Sequence, residues 1–413
     1  MGKLVTDEDG EGSDTEGVSV ERTARGTESL MTNTPDIKPP VIIISGIRWD
    51  FLWQRHQIFA TLFARAGYPT VYVETTGLRN PSFNPCTARI VIRRIFRAGS
   101  KARKTLDNTV PNLAVYSPLV APPTWKIFRH LNRTVFVPRV ARDLRHLLNG
   151  VSPAVIAYPP TSTTLDLLSN LEPCRVLYDC VLNYEHFPGV PPDIAETEKV
   201  LLRRADAVTV DSGFLLEKHR HMRPDAAQIG PGVDYELFGR ARAEEPLWKP
   251  ARTVCFFGGM DESRFDFDLV RELAEEGCQV RLLGTLSQPA LARLPGIEYR
   301  GEVPHQELPR HLADIDALII PYKINTFSKG TFPAKTFECL ATGKPTITTP
   351  LPDLVPFGDI LYLRKDARGF ADVLRRLPEF EDEQKVQARI ELARKNSWEA
   401  RFAALEKELW RKR

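Results

Sequence analysis

From Pro39 onward the chain alternates short, almost wholly apolar runs with longer stretches in which apolar residues recur every three or four positions. Short runs of β-branched and aromatic residues bounded by turn signals predict strands buried on both faces, and the helical spacing between them predicts the crossovers of a parallel sheet. "VIIIS" at 41–45 is followed by a helical pattern from Gln54 to Ala66 and then by "TVYVE" at 70–74. "RIVIR", "NLAVY", "AVIAY", "RVLYD" and "AVTV" continue this first series, which ends near Val210. A second series opens with "TVCFFGG" at 253–259 and runs through "QVRLLG", "IEYRG", "ALIIP", "PTITT" and "ILYL". Between the two lies "RARAEEPLWKP" at 240–250, charged and proline-bearing, which reads as a linker.

The pattern therefore predicts an α/β protein of two similar domains, and open parallel sheets of this kind bind ligands beyond the carboxyl ends of their strands, here in a cleft between domains. We assign residues 39–240 to an N-terminal domain, 241–251 to the linker, 252–395 to a C-terminal domain and 396–413 to a helix that packs back across the junction. Residues 1–38 are rich in Asp, Glu, Gly, Ser and Thr without hydrophobic periodicity, and are expected to form a disordered acidic tail.

The length of 413 residues agrees with two or three units at about 100–200 residues each. Hydrophobic residues at 42% and charged residues at 26% are ordinary for a globular protein, and a formal net charge of +3 gives no reason to expect a nucleic-acid partner. Six cysteines show no C-x-x-C pair and fall mostly in apolar segments, so buried free thiols in a reducing compartment are expected, with neither a disulfide framework nor a zinc site. The longest apolar runs are far short of the roughly 20 residues of a spanning helix. A cytoplasmic protein, or one peripheral to the inner face of the cell membrane, is expected.

Two stretches carry candidate chemistry. Gly258-Gly259 follows a predicted strand and precedes a helix, where glycine lets a backbone approach a ligand closely. "TFPAKTFECLATGK" at 331–344 places Pro333 at the first position of a helix with Thr331 as its cap, so that Lys335 and Glu338 share one face. A lysine beside free helix amides suits a diphosphate, and a glutamate one turn deeper suits two vicinal ribose hydroxyls. An i, i+3 surface ion pair is the alternative reading of the same spacing.

The segments "GPGVDYELF" (230–238), "TVCFFGGMDESRFDFDLVRELA" (253–274), "YRGEVPHQELPRHLADIDALIIPYK" (299–323) and "FPAKTFECLATGKPTITT" (332–349), taken together, resemble the C-terminal half of GT-B nucleotide-sugar glycosyltransferases. The type in view is that of bacterial exopolysaccharide and teichuronic-acid synthesis, which includes the xanthan glucuronosyltransferase. The resemblance implies a GT-B fold of two Rossmann-like domains, a nucleotide-sugar donor that is a UDP sugar, and a saccharide or lipid-linked acceptor. It implies that Lys335 binds the donor diphosphate and Glu338 the ribose, that the loop around Val303 receives the base, and that Gly258 and Gly259 face the cleft with Arg264 and Tyr322 nearby. Many retaining relatives have a first glutamate in an E-x7-E arrangement where this chain has Gly330, so an inverting transfer is expected.

Such a transfer needs a base, and "RVLYDCVLNYEHF" offers Asp179 at a predicted strand end, although relatives often carry an acidic pair where this chain has Leu182-Asn183. Asp179 as a cap or turn residue is the alternative. "GIRWDFLWQRHQ" at 46–57 supplies two other bases, Asp50 and His56, and an acceptor pocket shaped by Trp49, Trp53 and Arg55. With no D-x-D motif at a strand end, neither a metal nor any cofactor is expected, the nucleotide sugar being a substrate. Basic residues between Arg89 and Arg145, mixed with Trp125, Phe128 and Leu131, suit an anionic membrane surface or a solvated helix face. A nucleotide-sugar epimerase and a non-catalytic sugar-nucleotide-binding subunit of a polysaccharide assembly complex remain alternatives to the transferase.

Overall fold

The apolar runs form strands because each is sandwiched between helices and can bury both of its faces. In the computed structural model, which describes residues 38–51, 53–74, 78, 103–104, 110–242 and 250–412, they build two sheets. The first comprises β1 (Val41–Ile44), β2 (Thr70–Val73), β3 (Arg103–Lys104), β4 (Leu113–Tyr116), β5 (Ala154–Ala157), β6 (Arg175–Cys180), β7 (Ala207–Val210) and β8 (Ala227–Gln228). Their order is β3-β4-β2-β1-β5-β6-β7-β8, parallel throughout except for the β3–β4 pair. The second comprises β9 (Thr253–Phe257), β10 (Gln279–Leu283), β11 (Ile297–Tyr299), β12 (Ala317–Ile320), β13 (Thr346–Thr348) and β14 (Tyr362–Leu363), all parallel in the order β11-β10-β9-β12-β13-β14. The fold is GT-B: two Rossmann-like domains, each a parallel sheet between helical layers. Of the predicted strands, "RIVIR" lies outside the described residues, as do nearly all of the acidic tail and most of the linker.

In both sheets the strand order reverses around a central pair, β1/β5 in the first and β9/β12 in the second. Connections leave such a pair in opposite directions, so a crevice opens beyond the carboxyl ends of those two strands. The loops after β1 and β5 and those after β9 and β12 are therefore where the sequence must supply its chemistry.

Alternation along β6 divides the N-terminal core. Tyr178 and Cys180 face the helices Val137–Leu147, Ser162–Leu171 and Ile194–Arg204, whereas Leu177 packs with Phe59 and Phe63 of helix Arg55–Arg65 on the other side. That second layer is completed by the last helix, Trp398–Leu409, whose Leu405 and Leu409 are buried in the N-terminal core. Its aromatics make edge contacts there, Trp398 with Phe59 at 5.8 Å and Phe402 with Phe63 at 4.9 Å. The chain thus returns from the C-terminal domain to the N-terminal one.

Candidate functional site

The loop after β9 begins at Gly258, whose φ of +116° is left-handed backbone that a side chain resists. A Cβ there would lie 3.3 Å from Cε of Lys335. Gly284, after β10, is tighter still: its Cβ would fall 2.1 Å from the Gly258 carbonyl oxygen. Three glycines thus stack the loops after β9, β10 and β11 backbone to backbone, with the Gly258 amide donating to Leu283 O at 2.8 Å and the Gly284 amide to Gly301 O at 2.6 Å. At Gly258 and Gly284 a side chain would press on Lys335 or on the backbone of the neighbouring loop.

Lys335 enters the β9/β12 crevice from the start of the helix Lys335–Ala341, which begins two residues later than the sequence suggested. Ala334, not Thr331, precedes the first turn, and Pro333 accepts a bond from the Thr336 amide at 2.9 Å. Thr331 turns back to donate to the carbonyl of Phe327 at 3.3 Å, so it caps nothing. The Lys335 ammonium lies 4.7 Å from the centroid of the Phe256 ring and 4.8 Å from that of Tyr322, and it donates to the Tyr322 hydroxyl. Two aromatic faces hold the cation without neutralising it, which keeps its charge available to an anion.

Glu338 lies one turn deeper and pairs with His305 Nε2 at 3.3 Å. Burial lowers the pKa of His305, but the bond to Glu338 and its charge outweigh burial and leave it raised. Lys335 and Glu338 therefore have separate partners, so the reading of their spacing as an ion pair is set aside. Around them, Arg264 forms a two-pronged pair with Asp261 at 2.9 and 2.7 Å, its carbonyl accepts from the Lys323 amide beside Tyr322, and Val303 packs on the C-terminal core. The structure brings together Gly258, Gly259, Arg264, Tyr322, Lys335 and Glu338, with the Val303 loop beside His305.

The N-terminal candidates fare differently. Asp179 lies inside β6 and is fully buried. Its oxygens accept from Arg55 Nε at 2.7 Å, Arg55 Nη2 at 3.0 Å and Thr209 Oγ1 at 2.8 Å. This closed pair corrects two expectations, because Asp179 does not stand at the strand end facing the cleft, and Arg55, which also donates to Gly230 O at 2.9 Å, is not free to line an acceptor pocket. The register explains it, since side chains alternate and Asp179 shares the face of Leu177 under the helix that Arg55 begins.

His56 sits at the β1/β5 crevice, stacked on Tyr158 at 3.5 Å with Nδ1 2.7 Å from Ser45 Oγ. Burial, reinforced by the Arg55 charge, pushes its pKa down to about 3, so the imidazole is neutral. Trp49 packs edge-on to Trp53 at 5.1 Å and to Tyr72 at 5.0 Å, and Trp53 is 44% exposed beside Phe51 at 57%. Asp50 is an exposed residue paired with Arg48.

One loop escaped the sequence reading. After β6, Asn183 reaches toward Thr326 O of the C-terminal domain at 3.5 Å, and Phe187 meets Phe327 at 5.4 Å. Between them, Glu185 pairs with Lys218 at 3.0 Å and with His186 at 3.5 Å, leaving about a third of its side chain exposed. The signal was present in "LNYEHF", two acid–base residues just past the position of the missing acidic pair.

The family model described as Glycosyl transferases group 1 matches residues 251–379, the domain that carries Lys335 and Glu338. Residues 251–379 thus match that family, and the fold of the chain is that of the GT-B enzymes. A Bacillus subtilis protein named as a teichuronic acid biosynthesis glycosyltransferase, TuaH, is 30% identical over 179 residues, covering 38% of this chain and 44% of that protein. Among solved structures, sucrose-phosphate synthase from Thermosynechococcus elongatus superposes with a TM-score of 0.61 at 16% identity, covering 89% of this chain and 98% of that one. Anabaena HepE in complex with UDP gives 0.61 at 11% identity, again over 89% and 98%. These structural likenesses concern the GT-B fold.

Proposed function

We propose that this GT-B glycosyltransferase moves a sugar from a nucleotide-sugar donor, a UDP sugar, to a saccharide or lipid-linked acceptor in cell-surface polysaccharide synthesis. The observation that carries the reading is the Lys335 ammonium at the β9/β12 crevice, which has no carboxylate partner among the described residues and lies against Gly258 and one turn from Glu338, within the group 1 domain. The UDP held by HepE on the same fold and the likeness to TuaH support the choice of donor and pathway class.

In this reading the Lys335 charge meets the donor diphosphate, Glu338 accepts from the ribose hydroxyls, and backbone around Val303 receives the base. The acceptor oxygen attacks the anomeric carbon on the face opposite the diphosphate. As the new C–O bond forms, the bond to the diphosphate oxygen breaks, its electron pair leaves with the nucleotide, and the acceptor proton passes to a base. The developing charge on the leaving group is balanced by Lys335, a task that a cation performs in metal-dependent enzymes.

The base we assign is Glu185. Asp179 has both oxygens bound inside the core, Asp50 is tied to Arg48 at the surface, and His56 is enclosed by Tyr158 and Ser45. Glu185 is also paired, with Lys218 and His186, but unlike Asp50 it stands on the loop that touches the C-terminal domain near the donor site. Trp49, Phe51 and Trp53 then form an aromatic wall for the acceptor. Glu185→Gln is expected to lose turnover while keeping its affinity for UDP by calorimetry; near-normal turnover would return the role to His56.

Membrane contact is proposed for the helix Lys126–Leu131, which exposes Ile127 at 69% and follows Trp125 at 55%, beside Lys126, Arg129 and Arg133. Flotation with anionic but not zwitterionic vesicles is the expected outcome. Equal recovery with both, or with neither, would refute it.

A further inference from the structure

Behind the loop that holds Glu185, three elements bury a sulfur, a nitrogen and an oxygen around one point. Cys180 ends β6, Glu198 lies in the helix Ile194–Arg204, and His219 ends the helix Gly213–His219. Their exposures are 0%, 4% and 4%. Cys180 Sγ is 3.6 Å from His219 Nε2 and 3.7 Å from Glu198 Oε1, and His219 Nε2 is 3.8 Å from the same oxygen.

These separations have the shape of a coordination triangle. A tetrahedral zinc, with bonds of about 2.3 Å to sulfur and about 2.0–2.1 Å to nitrogen and oxygen, requires ligand–ligand edges of roughly 3.3–3.6 Å. The observed edges exceed these by a few tenths of an ångström, which small side-chain rotations close. The two sulfur edges are within the range of weak thiol hydrogen bonds, and Cys180 Sγ also lies 3.5 Å from the Leu182 carbonyl, whereas the His219–Glu198 edge is beyond hydrogen-bond range. Three candidate ligands from three elements are thus buried around one point.

The surroundings suit an ion. The Tyr178 hydroxyl donates to Glu198 Oε1 at 2.6 Å, orienting the carboxylate in the manner of a ligand's outer partner. Lys218, 3.7 Å from Glu198 Oε2, is drawn outward by Asn183 Oδ1 at 2.7 Å and by Glu185. A thiolate and a carboxylate together neutralise a dication, so the occupied site carries no net charge into the core. Sulfur and imidazole nitrogen in one set select zinc over magnesium or calcium, which take oxygen ligands.

We propose that Cys180, Glu198 and His219 bind one zinc ion, with water as fourth ligand. The ion ties β6 and two helices together and so fixes the loop bearing Asn183 and Glu185. Binding forms the Zn–S bond and releases the Cys180 thiol proton to solvent. The role is structural, apart from donor and acceptor chemistry, and revises the expectation of a metal-free chain without placing a metal at the diphosphate.

The test is metal analysis of the full-length chain, followed by chelation and back-titration with zinc against a chromophoric competitor, and with cobalt(II). About one equivalent of zinc is expected, with a rise in Tm on reloading. The cobalt form should show thiolate-to-metal charge-transfer absorption that Cys180→Ser removes. Tyr178→Phe, which keeps all three ligands, is expected to weaken zinc binding on the order of 10-fold. Failure of the wild-type chain to take up one equivalent overturns the proposal, as does a charge-transfer band that survives in Cys180→Ser. Should that variant not fold, the Tyr178→Phe titration decides, and unchanged affinity there counts against the site.

Discussion

Lys335 and Glu338 are assigned to different parts of one nucleotide, and that division has a measurable signature. Removing the ammonium should affect only ligands that carry phosphate, whereas removing the carboxylate should affect any ligand that carries the ribose. For a lysine about 4 Å from a phosphate oxygen at an effective dielectric near 20, the Coulomb energy is about 4 kcal/mol per unit charge. Lys335 is half-buried between Phe256 and Tyr322, so solvent screens part of this. A net loss of roughly 2–4 kcal/mol is expected for Lys335→Ala, a rise in the Kd for UDP of ~30- to ~700-fold. Uridine, lacking the diphosphate, should bind the variant as it binds wild type. Glu338→Ala should weaken UDP and uridine alike by roughly 1.5–3 kcal/mol, the worth of hydrogen bonds to a charged group. Isothermal titration of both ligands into both variants gives four numbers. Loss of uridine binding in Lys335→Ala, or unchanged UDP binding in either variant, refutes the assignment. The fold itself should survive, since Lys335 gives up only its contacts with two rings and one hydroxyl, on the order of 1–2 kcal/mol.

Asp179→Asn leaves Arg55 buried without its ion-pair partner and should destabilise the protein by roughly 3 kcal/mol in urea unfolding, with turnover per folded molecule little changed; loss of turnover at full stability would restore its catalytic reading. The pKa of His305 is raised above 6.5, so its pair with Glu338 contributes stability that is complete below that pH and is lost as pH rises through the folded value. The decline in Tm on that alkaline side should disappear in His305→Asn, and a decline that persists there would place the titration elsewhere. A Cβ on Gly330 would lie 2.7 Å from Cβ of Asn183 and 3.2 Å from the Phe214 ring, across the domain boundary. Gly330→Ala should therefore keep its UDP affinity but lose kcat, with a larger radius of gyration in X-ray scattering; unchanged kcat would show that this contact is dispensable.

What could be read from the chain alone was whatever is local. Period and turn signals located the longer strands of both sheets because each strand's burial is written in its own residues, and Lys335 and Glu338 share a face through helical geometry alone. The helix start was misplaced because Pro333 suits both the first turn and the extended approach to it. Asp179 was misread because its partner Arg55 lies 124 positions away, and no local pattern announces that helix Arg55–Arg65 covers β6. The same holds for Cys180, Glu198 and His219, which follow no ligand spacing and meet only because β6 and two helices converge. The two-residue strands β3 and β8 carry too few residues to show a period.

The route of the chain links the helix that begins at Lys335 to the core of the N-terminal domain. Helix Lys335–Ala341 rests on helix Glu383–Lys395, which runs through Asn396 and Ser397 into the helix anchored in the N-terminal core. At that crossing the Val233 amide donates to Asn396 O at 3.1 Å and the Trp398 amide to Val233 O at 3.2 Å, so the two inter-domain passages are stitched together. Gly232 permits it, because a Cβ there would sit 2.6 Å from the Trp398 ring. Smaller bridges include the Gly213 amide on Asp353 at 2.6 Å, the Asn183 contact to Thr326, the Phe187–Phe327 ring contact, and Gly330 against Asn183. A rotation about the stitched crossing would preserve the C-terminal helix in its core while separating these polar contacts. The second oxygen of Asp353 is buried and has no hydrogen-bond partner among the described residues, and burial raises the pKa of this carboxyl against the two amide bonds that lower it. Opening there would widen the gap between Glu185 and the donor loop. On the proposed assignment, closing it would expel water from around the leaving diphosphate and strengthen the field of Lys335 during transfer.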